Sequence, residues 1–213
     1  MNKFPRSAYV HIPFCHRRCF YCDFAVIPLG NKVETLKGYG SKTVKEYLHF
    51  LYKEILSIKH KSPLSTIYIG GGTPSILDPQ QIKELIDLFK ENYGVDYGAE
   101  ITMEVDPASF NQDDLYGFIN AGINRFSLGV QSFNNQILQK SGRRHLREDA
   151  EKSCLWLKGE YDVGSIKSWS LDLIQNLPLS GIKEWQDDLK KAITFYPPHI
   201  SIYDLNIENG TVF

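Results

Sequence analysis

Three cysteines lie close together near the start of the chain, at a spacing that suits a metal or cluster site. Cys15, Cys19 and Cys22 fall within eight residues, whereas Cys154 is far from them in the sequence. Thiolates are soft ligands for zinc and for iron–sulfur clusters. Because one short loop supplies the three thiolates, the spacing favours a cubane cluster with one iron left open to a small molecule.

Two other interpretations of the cysteines remain open on spacing alone. A structural zinc site needs four protein ligands, and the fourth would be His11, His16 or Cys154. Alternatively, the three thiols are structural and bind no metal. Cys154 itself lies on a predicted helix, where a small buried core residue is its more common role.

Other residues that could contact a ligand stand at the ends of predicted strands. Gly70, Gly71 and Gly72 follow the second strand, and glycines let backbone amides approach a ligand closely. Gln131 ends the fourth strand, and its amide can both donate and accept hydrogen bonds. Since ligands gather at the carboxyl ends of parallel strands, we expect these residues to share a site with the cysteines.

Two carboxylates lie inside predicted strands. Glu104 alternates with Met103 and Val105, and Asp172 lies in the otherwise apolar string SWSLDLI. A buried carboxylate is costly unless it is paired or hydrogen-bonded. We therefore predict polar roles inside the fold for both, and a solvent-facing strand position is the alternative for Glu104.

The elements that must position these residues alternate between strand and helix. Strands are predicted at residues 7–12, 65–69, 100–105, 125–130, 169–174 and 200–205. Helices are predicted at residues 43–58, from 79 to near 94, from 112 to 122, as short segments up to about 158, and at 183–195. Strands separated by helices pair in parallel, so the sequence predicts an α/β fold, either a partial barrel or an open doubly wound sheet.

The composition excludes several classes of protein. Of the 213 residues, 42% are hydrophobic, which is enough for one sizeable core and excludes a disordered chain. The 24 basic and 25 acidic residues nearly balance, which argues against a non-specific nucleic-acid binder. No apolar run approaches the roughly 20 residues that span a bilayer, and the N-terminus offers no signal-peptide core. We therefore expect a cytoplasmic protein without stable membrane insertion.

Longer motifs resemble the radical S-adenosylmethionine (SAM) superfamily. The CxxxCxxC spacing is followed one strand later by GGGTPS, a combination typical of that superfamily. More narrowly, the chain resembles the group that includes oxygen-independent coproporphyrinogen III oxidase and the heme chaperone HemW. The strings that carry this resemblance are YVHIPFCHRRCFYCDF, IGGGTPS, EITMEVDP, RFSLGVQSF, SGRRH, LDLIQNLP and HISIYDLNIENGTVF.

The resemblance implies a fold, two cofactors and a set of site residues. The fold is a partial (β/α)6 TIM-like barrel, the core of the superfamily, with parallel strands. Cys15, Cys19 and Cys22 would bind a 4Fe-4S cluster, and SAM would chelate its open iron. An electron from a donor such as flavodoxin or ferredoxin would then break a carbon–sulfur bond of SAM. The residues implied to contact SAM are Tyr9, Gly71, Gly72, Thr73, Glu104, Gln131, Arg143 and Asp172.

One position separates the two kinds of protein within this group. The oxidase resembles CxxxCxxCxC, whereas this chain has Phe24 at the position of the fourth cysteine. The CDF ending is similar to the heme chaperone, so the resemblance implies a protein that binds heme and transfers it to an acceptor protein. The alternative is radical oxidative decarboxylation of the propionates of coproporphyrinogen III in porphyrin biosynthesis.

The chain departs from the resembled group in length and at one turn. Members of the group continue past the GTVF string into a C-terminal domain that helps to form the substrate or heme site. We expect residues 1–213 to form one radical SAM core domain, with a cluster loop at about 13–40 and without that C-terminal domain. Gln175 and Asn176 replace an aromatic residue and a glycine of the relatives, which bears on the turn after the fifth strand.

Overall fold

The computed structural model describes residues 4–30, 41–58 and 62–213 of the chain. Its elements, in chain order, are β1 (Ser7–Ile12), β2 (Phe14–Cys15), β3 (Ile27–Pro28), α1 (Lys42–Ser57), β4 (Leu64–Gly71), α2 (Pro79–Asn92), β5 (Val95–Val105), α3 (Gln112–Ala121), β6 (Arg125–Gln131), α4 (Asn135–Lys140), α5 (Arg147–Asp162), β7 (Ser168–Gln175), α6 (Ile182–Ile193) and β8 (His199–Asp204). Residues 31–40 of the predicted cluster loop lie outside the described residues.

Six strands form one parallel sheet in the order β1-β4-β5-β6-β7-β8. Each of these strands pairs with the next one along the chain, and β1 and β8 are the two edges. Since the strand order never reverses, the sheet is the partial TIM-like barrel rather than a doubly wound sheet. The predicted α/β fold is therefore confirmed.

The two faces of the sheet differ in chemistry because side chains alternate along each strand. Ile67 and Met103 are at most 1% exposed and belong to the hydrophobic core shared with the helices. Their neighbours in sequence, Tyr68 and Glu104, lie on the opposite face and are hydrogen-bonded to each other. The concave face of the sheet is thus polar, whereas the face toward the helices is apolar.

The start of α2 and the end of α3 fall at capping residues that the sequence indicates. Asp78 caps α2 by accepting from Gln80 N at 2.8 Å, and Pro79 occupies the first turn, where a missing N–H is no loss. Gly122 ends α3 with φ 115°, in the left-handed region that favours glycine. Within the described ranges, no helix combines the length and apolar character needed to cross a lipid bilayer.

One strand is longer than its own residues indicate. β5 begins at Val95, five residues before the predicted start, because Leu64 of β4 pairs with Val95 immediately after the turn at Gly94. The register between β4 and β5 then shifts before Thr66. This early pairing is set by the neighbouring strand, so the pattern within β5 does not reveal it.

Candidate functional site

A cavity of about 380 Å³ lies at the carboxyl ends of the strands. The predicted site residues that line it are Cys15, Cys19, Cys22, Gly71, Gly72, Thr73, Glu104, Gln131, Arg143 and Asp172. Tyr9 is the predicted site residue that does not line it. Residues that are far apart in the sequence therefore meet in one place, as parallel strands with a common direction require.

The segment that carries the three cysteines, residues 13–29 and here called the cysteine loop, follows β1 and is closed by backbone hydrogen bonds. Ile27 N donates to Pro13 O at 2.6 Å, and Leu29 N donates to Cys15 O at 2.8 Å, at the short parallel pair of β2 and β3. These bonds bring the two ends of the loop together. Periodicity cannot find this pair, since two residues per strand are too few to show an alternating pattern.

The three thiols are partly buried in the cavity wall. Thr73 Oγ1 donates to Cys15 Sγ at 3.5 Å, and Arg143 Nη1 donates to Cys19 Sγ at 3.7 Å. Burial raises the pKa of the Cys15 thiol to about 11 and also raises the pKa of Cys22. Donors directed at sulfur stabilise the thiolate form that binds metal. Within the described ranges, no three His, Cys, Asp or Glu side chains converge closely enough to hold a single metal ion.

The glycines at the end of β4 let the cysteine loop and β5 approach the same strand. Gly71 has φ 117° and its N–H donates to Glu104 Oε2 at 3.1 Å. A Cβ atom on Gly72 would lie 2.6 Å from Phe14 O and 3.0 Å from Cys15 Sγ. Only a residue without a Cβ fits there, so these glycines set how closely the cysteine loop approaches the sheet.

We expect Gly72→Ala to destabilise the fold by about 1–3 kcal/mol, the usual cost of forcing extra atoms into a packed site. The added methyl group meets the backbone oxygen of Phe14, which cannot move without displacing Cys15. The matched control is Gly159→Ala in α5, since a Cβ atom there meets nothing within 4 Å. Denaturant unfolding of the two variants measures the difference, and equal stabilities would contradict close packing at Gly72.

Glu104 is held from two sides in the wall of the cavity. Tyr68 Oη donates to Glu104 Oε1 at 2.8 Å, and Gly71 N donates to Oε2 at 3.1 Å. Burial raises the pKa of Glu104, and these two hydrogen bonds act against that rise. The side chain lines the cavity rather than the surface, so its carboxylate is placed to bind a cationic or N–H group of a ligand.

Tyr9 lies beside this pair but outside the cavity. Its ring stacks on Tyr68, with centroids 5.9 Å apart and an interplanar angle of 22°. Its hydroxyl lies 3.3 Å from His11 Nδ1, and the residue is 61% exposed. Tyr9 thus supports the tyrosine that binds Glu104, and its direct contact with a cofactor stays a prediction.

A buried ion pair that the spacing does not reveal holds Arg143. Its Nη2 donates to Asp106 Oδ2 at 2.5 Å and to Gly129 O at 2.7 Å. Burial alone would raise the pKa of Asp106, but Arg143 and His145 outweigh it and hold that pKa well below its usual range. His145 is itself buried, with Nε2 3.0 Å from Val130 O. Asp106 follows β5 directly, at one of the strand ends where the sequence predicts ligand-contacting residues, but its pairing with Arg143 is not predicted.

Gln131 and Asp172 complete the polar lining at β6 and β7. Ser127 Oγ donates to Asp172 Oδ2 at 2.6 Å, which favours the ionised carboxylate. Burial has the larger effect, so the pKa of Asp172 is raised. Gln131 ends β6 with φ 67°, which is uncommon for a residue other than glycine. Gln131 Oε1 and Arg143 Nε are buried without a hydrogen-bond partner among the described residues. Since such atoms are normally satisfied, they are available to a polar ligand.

The turn after β7 accommodates the residues that replace those of the resembled group. Asn176 adopts φ 63°, and its Nδ2 donates to Asp204 Oδ1 at 2.7 Å. Asparagine is among the residues that adopt the left-handed region most readily after glycine. The replacement of a glycine at this position is therefore compatible with a glycine-type turn.

Comparisons with known proteins identify the family of the chain. The profile of the radical SAM superfamily matches residues 9–171. The heme chaperone HemW of Synechocystis sp. is 42% identical over 210 residues, which cover 98% of this chain and 49% of that protein. HemW of Escherichia coli is 36% identical over 209 residues, which cover 98% of this chain and 53% of that protein.

A solved structure of a more distant relative shows the same fold. Coproporphyrinogen III oxidase (HemN) from Escherichia coli, described as a radical SAM enzyme, has a TM-score of 0.79 and 31% identity. The match covers 95% of this chain and 44% of that one. The chain spans about half the length of the curated relatives that it matches. Because the profile match extends from β1 into β7 and includes the cysteine triplet and the glycine turn, the chain belongs to the radical SAM superfamily.

Proposed function

We propose that this chain binds a 4Fe-4S cluster through Cys15, Cys19 and Cys22 and binds SAM in the adjoining cavity. The observation that carries the proposal is the cavity itself, which collects the predicted cofactor residues other than Tyr9 around the three thiols. The superfamily implies both cofactors. A zinc site and metal-free thiols are the alternatives, and metal analysis separates them from a cluster.

The residues around the thiols fit a cluster that keeps one iron for a small molecule. Thr73 and Arg143 donate to sulfur atoms, and hydrogen bonds to sulfur help to set the reduction potential of a cluster. A cubane contains four irons, so three thiolates leave one iron for another ligand. Gln131, whose Oε1 has no hydrogen-bond partner among the described residues, lines the same cavity.

Each remaining residue would bind or orient SAM rather than take part in bond cleavage. When bound, the cluster and SAM would supply one-electron chemistry, and the protein would position and shield them. Glu104 would offer a carboxylate to the amino group of SAM, and Arg143 would offer its Nε, which has no partner among the described residues, to the carboxylate. Asp172 lies on β7, where its carboxylate can accept hydrogen bonds from the adenosyl part. Phe14, next to Cys15 in the sequence, is fully buried and would help to exclude water from the cluster.

We expect Glu104→Ala to weaken SAM binding roughly tenfold or more while leaving the iron content unchanged. A hydrogen bond to a charged group is worth about 1.5–3 kcal/mol, and the hydrogen bonds of Glu104 come from Tyr68 and Gly71 rather than from the cysteine loop. The matched control is Glu100→Ala, since Glu100 is an exposed carboxylate on the same strand. Calorimetric titration of the reconstituted proteins with SAM measures the effect, and unchanged affinity in Glu104→Ala would remove Glu104 from the proposed site.

We also propose that the protein acts as a HemW-like heme chaperone, which binds heme and transfers it to an acceptor protein. Its curated relatives at 42% and 36% identity are named heme chaperones. Phe24 lines the cavity and stands where the oxidase would have a fourth cysteine, so this chain offers no thiol there. Reduction by a donor such as flavodoxin or ferredoxin, and a cytoplasmic location, stay predictions.

The second candidate is an oxidase acting on coproporphyrinogen III, and the structural likeness to HemN at 31% identity favours it. Anaerobic incubation with coproporphyrinogen III, SAM and a reductant separates the two functions. We expect no protoporphyrinogen, together with a change in the absorbance spectrum when heme is titrated into the protein. Formation of protoporphyrinogen would contradict the chaperone proposal.

A further inference from the structure

The segment after the last strand reaches the cysteine loop that follows the first strand. Phe20, which lies next to Cys19, accepts hydrogen bonds at its backbone oxygen from Val212 N at 2.8 Å and from Phe213 N at 3.3 Å. β1 and β8 are the two edges of the sheet and do not pair with each other. These bonds therefore link the segment after β8 to the cysteine loop, in which the neighbours of Phe20, Cys19 and Tyr21, line the cavity.

Phe20 is also held by the segment around Ser141 and Gly142. Its N–H donates to Ser141 O at 3.0 Å, just before the loop that carries Arg143. A Cβ atom on Gly142 would lie 2.8 Å from the Phe20 ring, so the glycine leaves the space that this ring fills. The ring of Phe213 packs edge-on against Phe20 at 6.2 Å. Two segments that are distant in sequence thus contact one residue of the cysteine loop.

A tight turn presents the two amides to Phe20. Thr211 N donates to Glu208 O at 3.2 Å, and Thr211 Oγ1 lies within hydrogen-bond distance of Glu208 O at 2.8 Å and of Phe213 O at 3.0 Å. Gly210 within the turn has φ 92°, which favours glycine. The Val212 residue is 71% exposed, so its backbone amide rather than its side chain makes the contact.

We propose that residues 208–213 form a clamp that fixes Phe20 and thereby sets the spacing of Cys19 and Cys22. The inference rests on the proposed cluster site, and it assigns Phe213 and the Val212 amide as positioning groups for the cysteine ligands. Three thiolates on a flexible loop would lose conformational entropy on binding a cluster, and a loop held in place beforehand loses less. The clamp therefore affects retention of the cluster rather than the affinity for SAM.

Val212→Pro tests the clamp because it removes the N–H donor, and Val212→Ala is the control because it keeps that donor. In the metal-free proteins, trypsin cleavage after Arg17 and Arg18, which are exposed residues of the cysteine loop, reports how freely the loop moves. In the reconstituted proteins, the rate of iron loss to a chelator reports cluster retention. We expect both rates to rise roughly fivefold in Val212→Pro relative to Val212→Ala, the change that loss of one hydrogen bond produces.

A second variant and a stability measurement keep the outcomes distinct. Phe213→Ala leaves the backbone intact and removes the ring contact, and we expect faster iron loss from it with an unchanged midpoint of thermal unfolding. Equal trypsin and chelator rates in Val212→Pro and Val212→Ala would overturn the clamp. If no protein takes up iron but the trypsin rates differ as expected, the cluster proposal fails while the clamp on the loop stands.

Discussion

Replacement of Cys19 by Ala is expected to abolish cluster binding. If three thiolates of one loop anchor the cubane, removal of one leaves too few protein ligands to hold it. Arg143 Nη1 also donates to Cys19 Sγ at 3.7 Å, so the variant removes both a proposed ligand and its hydrogen bond with Arg143. Iron and sulfide analysis after anaerobic reconstitution, together with the visible absorbance spectrum, measures the loss.

Cys154→Ala is the matched control for this experiment. Cys154 is fully buried in α5, and burial raises the pKa of its thiol to about 12, as expected for a residue of the core. We expect cluster uptake close to that of the wild type, with a small loss of stability. Equal loss of iron from the two variants would make Cys154 a ligand and contradict the three-thiol proposal. Stoichiometric zinc without iron or sulfide would contradict it as well.

The secondary structure could be predicted from the sequence because its signals are local. Alternation of apolar residues marks the six long strands, and Asp78 and Gly122 mark the ends of helices by their own chemistry. The early start of β5 depends instead on Leu64, a residue of the neighbouring strand. The short pair formed by β2 and β3 depends on how the cysteine loop folds back, which no local pattern reports.

Which residues surround the cavity could also be predicted, but not how they are connected to one another. The motif strings place the cysteines and Glu104 at or near strand ends, and a common strand direction then brings them together. Asp106 and Arg143 are 37 residues apart, and their pairing depends on the conformation of the loop after α4. The contact of Phe20 with Phe213 likewise joins opposite ends of the chain, so only the fold reveals it.

Among the substitutions considered, we expect the largest loss of stability from breaking the ion pair between Asp106 and Arg143. Asp106→Asn keeps the size of the side chain but removes the charge that faces the Arg143 guanidinium. The two side chains are only 22% and 10% exposed, so the arginine would be left buried without its counterion. Breaking a buried pair in this way costs about 3–5 kcal/mol. Denaturant unfolding of the metal-free protein at neutral pH measures the loss without any contribution from a cofactor.

The pH dependence of this loss identifies the ion pair as its cause. In the folded protein Arg143 and His145 overcome the effect of burial and depress the pKa of Asp106, so its stabilisation is present above the ordinary aspartate pKa. That stabilisation disappears as the pH falls through the lower, folded value. The difference in the free energy of unfolding between wild type and Asp106→Asn should therefore be constant down to a pH of about 4 and become smaller below it.

The control is Asp187→Asn, which breaks an exposed pair with Lys183 and should change neither the stability nor its pH profile. A difference that persists unchanged into strong acid would show that Asp106 stabilises the fold through packing and not through its charge.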